Sequence, residues 1–134
     1  MVIVTEKSRI LVVDDERAAN FLIRQIFRNE MREGAYELAF AMNGVEALEI
    51  LEKDADFQLV MTDINMPRLD GLTMLGMISE KYPKIKVVMV SAYSDMSKIR
   101  KAMNFGAYDY VTKPIDPKDL KETVARALAL VHRK

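Results

Sequence analysis

The sequence predicts an α/β domain: a doubly wound, five-stranded parallel sheet with helices on both faces. Short apolar runs rich in Val, Ile and Leu alternate with longer amphipathic stretches, five times over. The connections are short, and right-handed crossovers then bring the carboxyl ends of all strands to one edge. That edge stands out because four of the five runs stop at a charged or hydroxyl residue.

Residues 1–8 read as a lead-in and residues 9–134 as a single domain. The first strand, Arg9-Ile10-Leu11-Val12-Val13, ends in Asp14-Asp15. From Glu16 the pattern turns helical, with Ala19, Leu22, Ile23 and Ile26 on one face. Asp15 is placed to cap this helix, Glu16 suits the positive end of its dipole, and Gly34 closes it. Tyr36-Glu37-Leu38-Ala39-Phe40-Ala41 is the second strand, and Asn43-Gly44 opens a helix through Ala47, Leu48 and Leu51. The third strand, Gln58-Leu59-Val60-Met61-Thr62, is too brief for a helix and stops at Asp63. Met66-Pro67 bars an immediate helix, because proline pushes its predecessor out of the αR region.

Asp70-Gly71 starts the next helix, with Leu72, Leu75 and Ile78 inward and Tyr82-Pro83 as its stop. Lys86-Val87-Val88-Met89-Val90 is the fourth strand, ending at Ser91. Ser94-Asp95 opens a helix carrying Met96, Ile99 and Met103, which Gly106 terminates. The fifth strand, residues 108–112, ends at Lys113-Pro114. Pro117 suits the first position of a last helix whose apolar face is Leu120, Val124, Ala127, Leu128 and Val131. Most of the ten methionines fall on the inward positions and read as core filler.

Composition removes several function classes. The formal net charge is zero, which gives no reason to expect a nucleic-acid or anionic membrane surface. There is no cysteine, so disulfides, thiol catalysis and cysteine metal sites are excluded, in keeping with a cytoplasmic setting. The single histidine, His132, excludes a histidine-built metal or acid–base centre. No apolar run approaches the length of a membrane span.

Chemistry therefore rests on the strand ends. Asp14, Asp15 and Asp63 bring three carboxylates to the edge, Ser91 a hydroxyl and Lys113 an ammonium. Two carboxylates about 5 Å apart repel by about 3 kcal/mol at an effective dielectric near 20. Without histidine or cysteine, a hard divalent cation held by oxygens is the natural relief. Magnesium fits best, since it takes one or two carboxylates plus a phosphate and keeps several waters. Lys113 adds a compact positive charge suited to a phosphoryl oxygen.

Between residues 9 and 131 the chain resembles the receiver domains of two-component response regulators. The motifs are Leu11-Val12-Val13-Asp14-Asp15-Glu16, Asp63-Ile64-Asn65-Met66-Pro67 with Asp70-Gly71, Ser91-Ala92, and Tyr110-Val111-Thr112-Lys113-Pro114. The resemblance implies a flavodoxin-like fold with strand order 2-1-3-4-5 and five helices. It implies Asp63 as phosphoacceptor, and magnesium held by Asp14, Asp15, Asp63 and the Asn65 backbone carbonyl, with manganese as a substitute. Ser91 and Lys113 would contact the phosphoryl group, Tyr110 would be the aromatic switch residue, and the bond before Pro114 is often cis in the family. The phosphate would come from a histidine kinase, a histidine phosphotransfer protein or a small donor.

Such a domain is a signalling module that catalyses only its own phosphorylation and dephosphorylation. Output would pass through the fourth helix, fifth strand and fifth helix to a target or output domain, with a homodimer among the assemblies allowed. Asn65 and Tyr93 border the site and would tune the phosphoryl lifetime, and Leu130 would face a partner. A haloacid-dehalogenase-type phosphatase also forms an aspartyl phosphate but needs Asp-x-Asp after a strand, whereas Asp14-Asp15 are adjacent and Asn65 follows Asp63. A nucleotide-binding loop is missing, and a flavin carrier gives no reason for three acids beside a lysine.

Overall fold

The computed structural model describes residues 7–131. Its strands are β1 (Ser8–Val13), β2 (Tyr36–Ala41), β3 (Leu59–Thr62), β4 (Lys86–Ala92) and β5 (Asp109–Lys113). They form one parallel sheet in the order β2-β1-β3-β4-β5, the order the resemblance implies. The helices are α1 (Arg17–Ile26), α2 (Arg28–Arg32), α3 (Gly44–Lys53), α4 (Gly71–Lys81), α5 (Met96–Asn104) and α6 (Pro117–Val131), with a 3-10 turn at Tyr93–Asp95. No helix among the described residues is long and apolar enough to cross a membrane. His132 and residues 1–6 of the lead-in lie outside the described residues, and Ser8 already belongs to β1.

A strand sends successive side chains to opposite faces, and a parallel sheet must bury both. Leu11, Val13, Val60, Val87 and Met89 enter the layer closed by Ala47 and Leu51 of α3, Met74, Leu75 and Ile78 of α4, and Ile99 of α5. Ile10, Val12, Leu59, Met61, Val88 and Val90 enter the other, closed by Ile23 of α1, Phe27, and Leu120, Val124 and Leu128 of α6. Every residue of β3 is buried, so the central strand has no solvent face. In register, Val13 stands beside Thr62, which levels the ends of β1 and β3, while Thr62 stands beside Met89 and β4 runs three residues further, to Ala92. Side-chain caps start two helices: Asn43 accepts from the Glu46 N–H and Asp70 from the Thr73 N–H at 2.8 Å.

At the opposite, amino-terminal edge, Arg9 ties the sheet together. Its guanidinium donates to Glu37 at 2.7 Å and to Asp54 and the Asp56 carbonyl at 2.8 Å, and lies 4.3 Å over the Phe57 ring.

The structure corrects several expectations. The described residues form six α-helices rather than five, because the first helical stretch breaks at Phe27, where φ is −98° and ψ 16°. Phe27 is fully buried there, its ring 5.7 Å from Tyr36. Asp15 does not cap α1; Glu16 occupies the N-cap position and makes no side-chain cap bond. Leu22 is 42% exposed, because the buried stripe of α1 runs through Ile23 and the following residue back falls about 100° away. The same rotation takes Met103, 38% exposed, off the Ile99–Ala102 stripe of α5. Of the methionines, Met61, Met66, Met74 and Met89 are buried, Met31, Met42 and Met96 half-buried, and Met77 exposed. The core-filler reading thus holds for the strands and the α4 face, not for the outer helix surfaces.

Candidate functional site

The carboxyl ends of β1, β3, β4 and β5 meet as the topology requires. Asp14 extends β1, its N–H bonded to the Ala41 carbonyl, and Asp63 extends β3, its N–H bonded to the Val13 carbonyl at 3.0 Å. Both side chains are buried, the residues 3% and 7% exposed, while Asp15 and Glu16 beside them are open to solvent. One oxygen from each of Asp14, Asp15, Glu16 and Asp63 lies within 4.8 Å of the others. Lys113, at the end of β5, reaches into this group. Its ammonium is 3.1 Å from Asp14, 3.2 Å from Asp63 and 3.9 Å from Glu16.

Short-range bonds hold the two buried acids in place. The Glu16 N–H donates to Asp14 Oδ1 at 2.9 Å, and the Asn20 amide of α1 donates to the Asp14 carbonyl at 3.0 Å. The Asn65 N–H donates to Asp63 Oδ1 at 3.3 Å, and the Thr62 hydroxyl to the Asp63 carbonyl at 2.9 Å. The loop after β3 turns at Arg68, whose φ is +71°, and returns so that the Gly71 N–H reaches the Ile64 carbonyl at 2.8 Å. A Cβ on Gly71 would stand 2.2 Å from the Asp63 carbonyl oxygen, so only glycine lets α4 begin this close to the strand end.

Burial leaves Asp63 reluctant to ionise. Burial raises its pKa, Lys113 opposes that, Asp14 adds to it, and the net direction is upward. Burial pulls Lys113 down, but its hydrogen bond to Asp14 and the charges of Asp14 and Asp63 outweigh burial and raise its pKa. An ammonium that stays charged thus faces a carboxylate surrounded by other carboxylates. This arrangement attracts a cation into the acidic group and an anionic oxygen to Lys113.

Ser91 and Asn65 sit at the same mouth, but their side chains bond away from Asp63. Ser91, 1% exposed, donates its hydroxyl proton to Asp95 Oδ2 at 2.8 Å. The Asn65 side-chain amide donates to the same oxygen at 3.0 Å, and the Lys98 ammonium donates to Asn65 Oδ1 at 2.6 Å. The Ser91 hydroxyl, then the Asn65 amide, hold the Asp95 carboxyl below its ordinary pKa. Tyr110, half-buried on β5, packs with Met96 against the α3–α5 layer. The Lys113-Pro114 bond is cis. Glu16, Asn20, Asp95 and Lys98 were not singled out for the site by sequence reasoning; Glu16 alone carried a signal, its place beside two acids.

The geometry agrees with what the chain is similar to. The model of the response regulator receiver domain matches residues 10–125, and the chain belongs to that family. The chemotaxis protein CheY of Treponema pallidum is 38% identical over 90% of this chain and 82% of its own length. The response regulator protein FleR of Pseudomonas aeruginosa is 34% identical over 89% of this chain, which spans 24% of FleR. Among solved structures, the receiver domain of NtrX from Brucella abortus superposes with a TM-score of 0.81 at 35% identity, covering 89% of this chain and 97% of that one. Receiver domains are the phosphorylated signalling modules of two-component systems, and magnesium is typical of their acidic pocket.

Proposed function

We propose that this chain accepts a phosphoryl group on Asp63 from a histidine kinase, a histidine phosphotransfer protein or a small acyl-phosphate donor, in the cytoplasm. The observation that carries the reading is the Lys113 ammonium, 3.2 Å from a buried carboxylate that lies among three others. The receiver begins with β1 at Ser8 and runs on through residue 134, with the residues before Ser8 as a lead-in.

The acidic group fits a hard divalent cation. Every donor is a carboxylate oxygen, the four converge within 4.8 Å, and two of the residues are exposed and free to adjust. Magnesium, or manganese in its place, would be held by Asp14, Asp15, Asp63 and the Asn65 backbone carbonyl. When bound, it neutralises charge on the phosphoryl oxygens.

The chain's own residues do the rest. A carboxylate oxygen of Asp63 attacks phosphorus, the bond from phosphorus to the donor breaks, and an acyl phosphate results. Lys113 faces one phosphoryl oxygen, and the Ser91 hydroxyl turns to donate to another. Positioning and charge neutralisation account for most of such a transfer. As Ser91 turns, Tyr110 moves into the space beside β5. That shift alters the α5–β5–α6 face, on which a target, an output domain or a second copy docks.

The test uses the full chain and a small acyl-phosphate donor, read by intact mass. One phosphoryl group should appear only with magnesium, be labile to alkali, and be absent from Asp63→Asn. Ser91→Ala should still accept the group while amide-exchange changes in α5, β5 and α6 shrink. Undiminished incorporation into Asp63→Asn would move the chemistry to another residue and end the proposal.

A further inference from the structure

Resting on that reading, we propose that Asp95 is a positioning residue for phosphoryl transfer. It holds the one proton of the Ser91 hydroxyl away from Asp63 and, through Asn65, fastens Lys98 of α5 to the loop after β3.

The argument begins with a count of protons. A serine hydroxyl has a single proton to donate, and Ser91 has given it to Asp95 Oδ2 at 2.8 Å. Ser91 is 1% exposed, so water offers no alternative partner. A phosphoryl oxygen on Asp63 and the Asp95 carboxylate therefore compete for the same proton. A bond to a charged acceptor is stronger than a neutral one, which weights the unphosphorylated protein toward Asp95.

The same oxygen of Asp95 also accepts from the Asn65 side chain at 3.0 Å, and Asn65 in turn accepts from Lys98 at 2.6 Å. Asn65 lies two residues after Asp63, Asp95 in the turn after β4, and Lys98 in the first turn of α5. Four side chains thus cross from the phosphoacceptor loop to the signalling helix, and releasing Ser91 removes one of the two donors that hold Asp95. When the competent arrangement is a minor fraction of the molecules, the rate of a step that needs it falls by that fraction. Asp95 is accordingly a brake on acceptance of the phosphoryl group, and its grip on Asn65 and Lys98 carries the release to α5.

The experiment measures initial rates of phosphorylation by a small acyl-phosphate donor with magnesium, in the full chain. Asp95→Ala should speed the reaction by about ten- to a hundredfold, the range that loss of one hydrogen bond to a charged group allows. Amide shifts of α5 in unphosphorylated Asp95→Ala should move part of the way toward those of the phosphorylated wild type. Removing a negative charge near the site could by itself speed an anionic donor, so the decisive comparison is in a Ser91→Ala background. There Asp95→Ala should add no acceleration, since the two act through one bond. Lys98→Met, which leaves the Ser91–Asp95 bond in place, should loosen α5 in hydrogen exchange with a far smaller change in rate. Equal acceleration with and without Ser91, or none in either, overturns the proposal. Asp63→Asn run alongside separates the cases: if it still takes the phosphoryl group, it is the assignment of Asp63 that fails.

Discussion

Two glycines of α4 should respond in opposite directions to the same substitution. Gly76 has nothing within 4 Å of an added Cβ, so Gly76→Ala should stabilise by about 0.5–1 kcal/mol through helix propensity alone. At Gly71 the added Cβ falls 2.2 Å from the Asp63 carbonyl oxygen and 2.9 Å from the Ile64 Cα. Ordinary contact needs roughly 1 Å more than the shorter of these, and the obstacle is backbone at the end of a fully buried strand. Forced repacking of this kind costs about 1–3 kcal/mol, and a rigid obstacle puts Gly71→Ala at the upper end. For a domain of this size about 3 kcal/mol corresponds to a drop of roughly 11 °C in Tm. Urea denaturation of both variants, with unchanged slopes, gives the comparison. The displaced carbonyl belongs to Asp63, and misplacing a nucleophile by about 1 Å costs on the order of a hundredfold in rate. Gly71→Ala should therefore also accept phosphate slowly at temperatures where it is folded. Equal stability of the two variants, or a Gly71→Ala protein phosphorylated at the wild-type rate, would refute the close approach as the reason for glycine.

Magnesium should stabilise the fold by relieving the crowded acids, by about 2.7 kcal/mol at a hundredfold excess over its Kd, and so raise Tm, and Asp15→Asn should shrink the gain. Melting curves that coincide with and without the ion would remove the metal from the account. Asp63→Asn should stabilise the metal-free protein at neutral pH by on the order of 1 kcal/mol. The sign follows from its raised pKa: the fold favours the proton, so wild-type stability declines as pH rises through the folded value. The advantage of the variant should shrink on acidification below that value and vanish below the ordinary aspartate range, and an advantage constant with pH would assign it to something other than this carboxyl.

The strand ends were legible in the sequence because they depend on little more than topology. Once strand and helix alternate with right-handed crossovers, Asp14, Asp63, Ser91 and Lys113 have to share an edge, whatever the details of packing. The Asp95–Asn65–Lys98 chain was not legible. Its members are 30 and 33 positions apart, and which rotamer each takes is settled by the packing of α5 against the loop after β3. Glu16 was read from its position at a helix start, and a residue there serves a dipole and a metal equally well. The break at Phe27 was hidden for a related reason: Ile23, Ile26 and Phe27 continue a helical period, and Phe27 is as buried at the break as a helical core residue would be. Leu22 and Met103 misled because a helix of nine or ten residues buries a stripe narrower than its apolar residues suggest.

The Arg9 clasp has a mechanical consequence. It joins β1 and β2 to the segment entering β3 at the end of the sheet farthest from the acids, where opposite charges meet and an aromatic ring covers them. The far end carries four carboxylates answered by one lysine. The sheet is therefore built like a cantilever, pinned by paired charges at its amino-terminal edge and loaded with like charges where the strands finish. Small openings should start where the like charges crowd, and neutralising that charge should slow amide exchange in the loops after β1 and β3. Arg9→Ala should leave the acids and Lys113 in place while loosening the join of β1, β2 and the segment entering β3, which amide exchange at that edge would report.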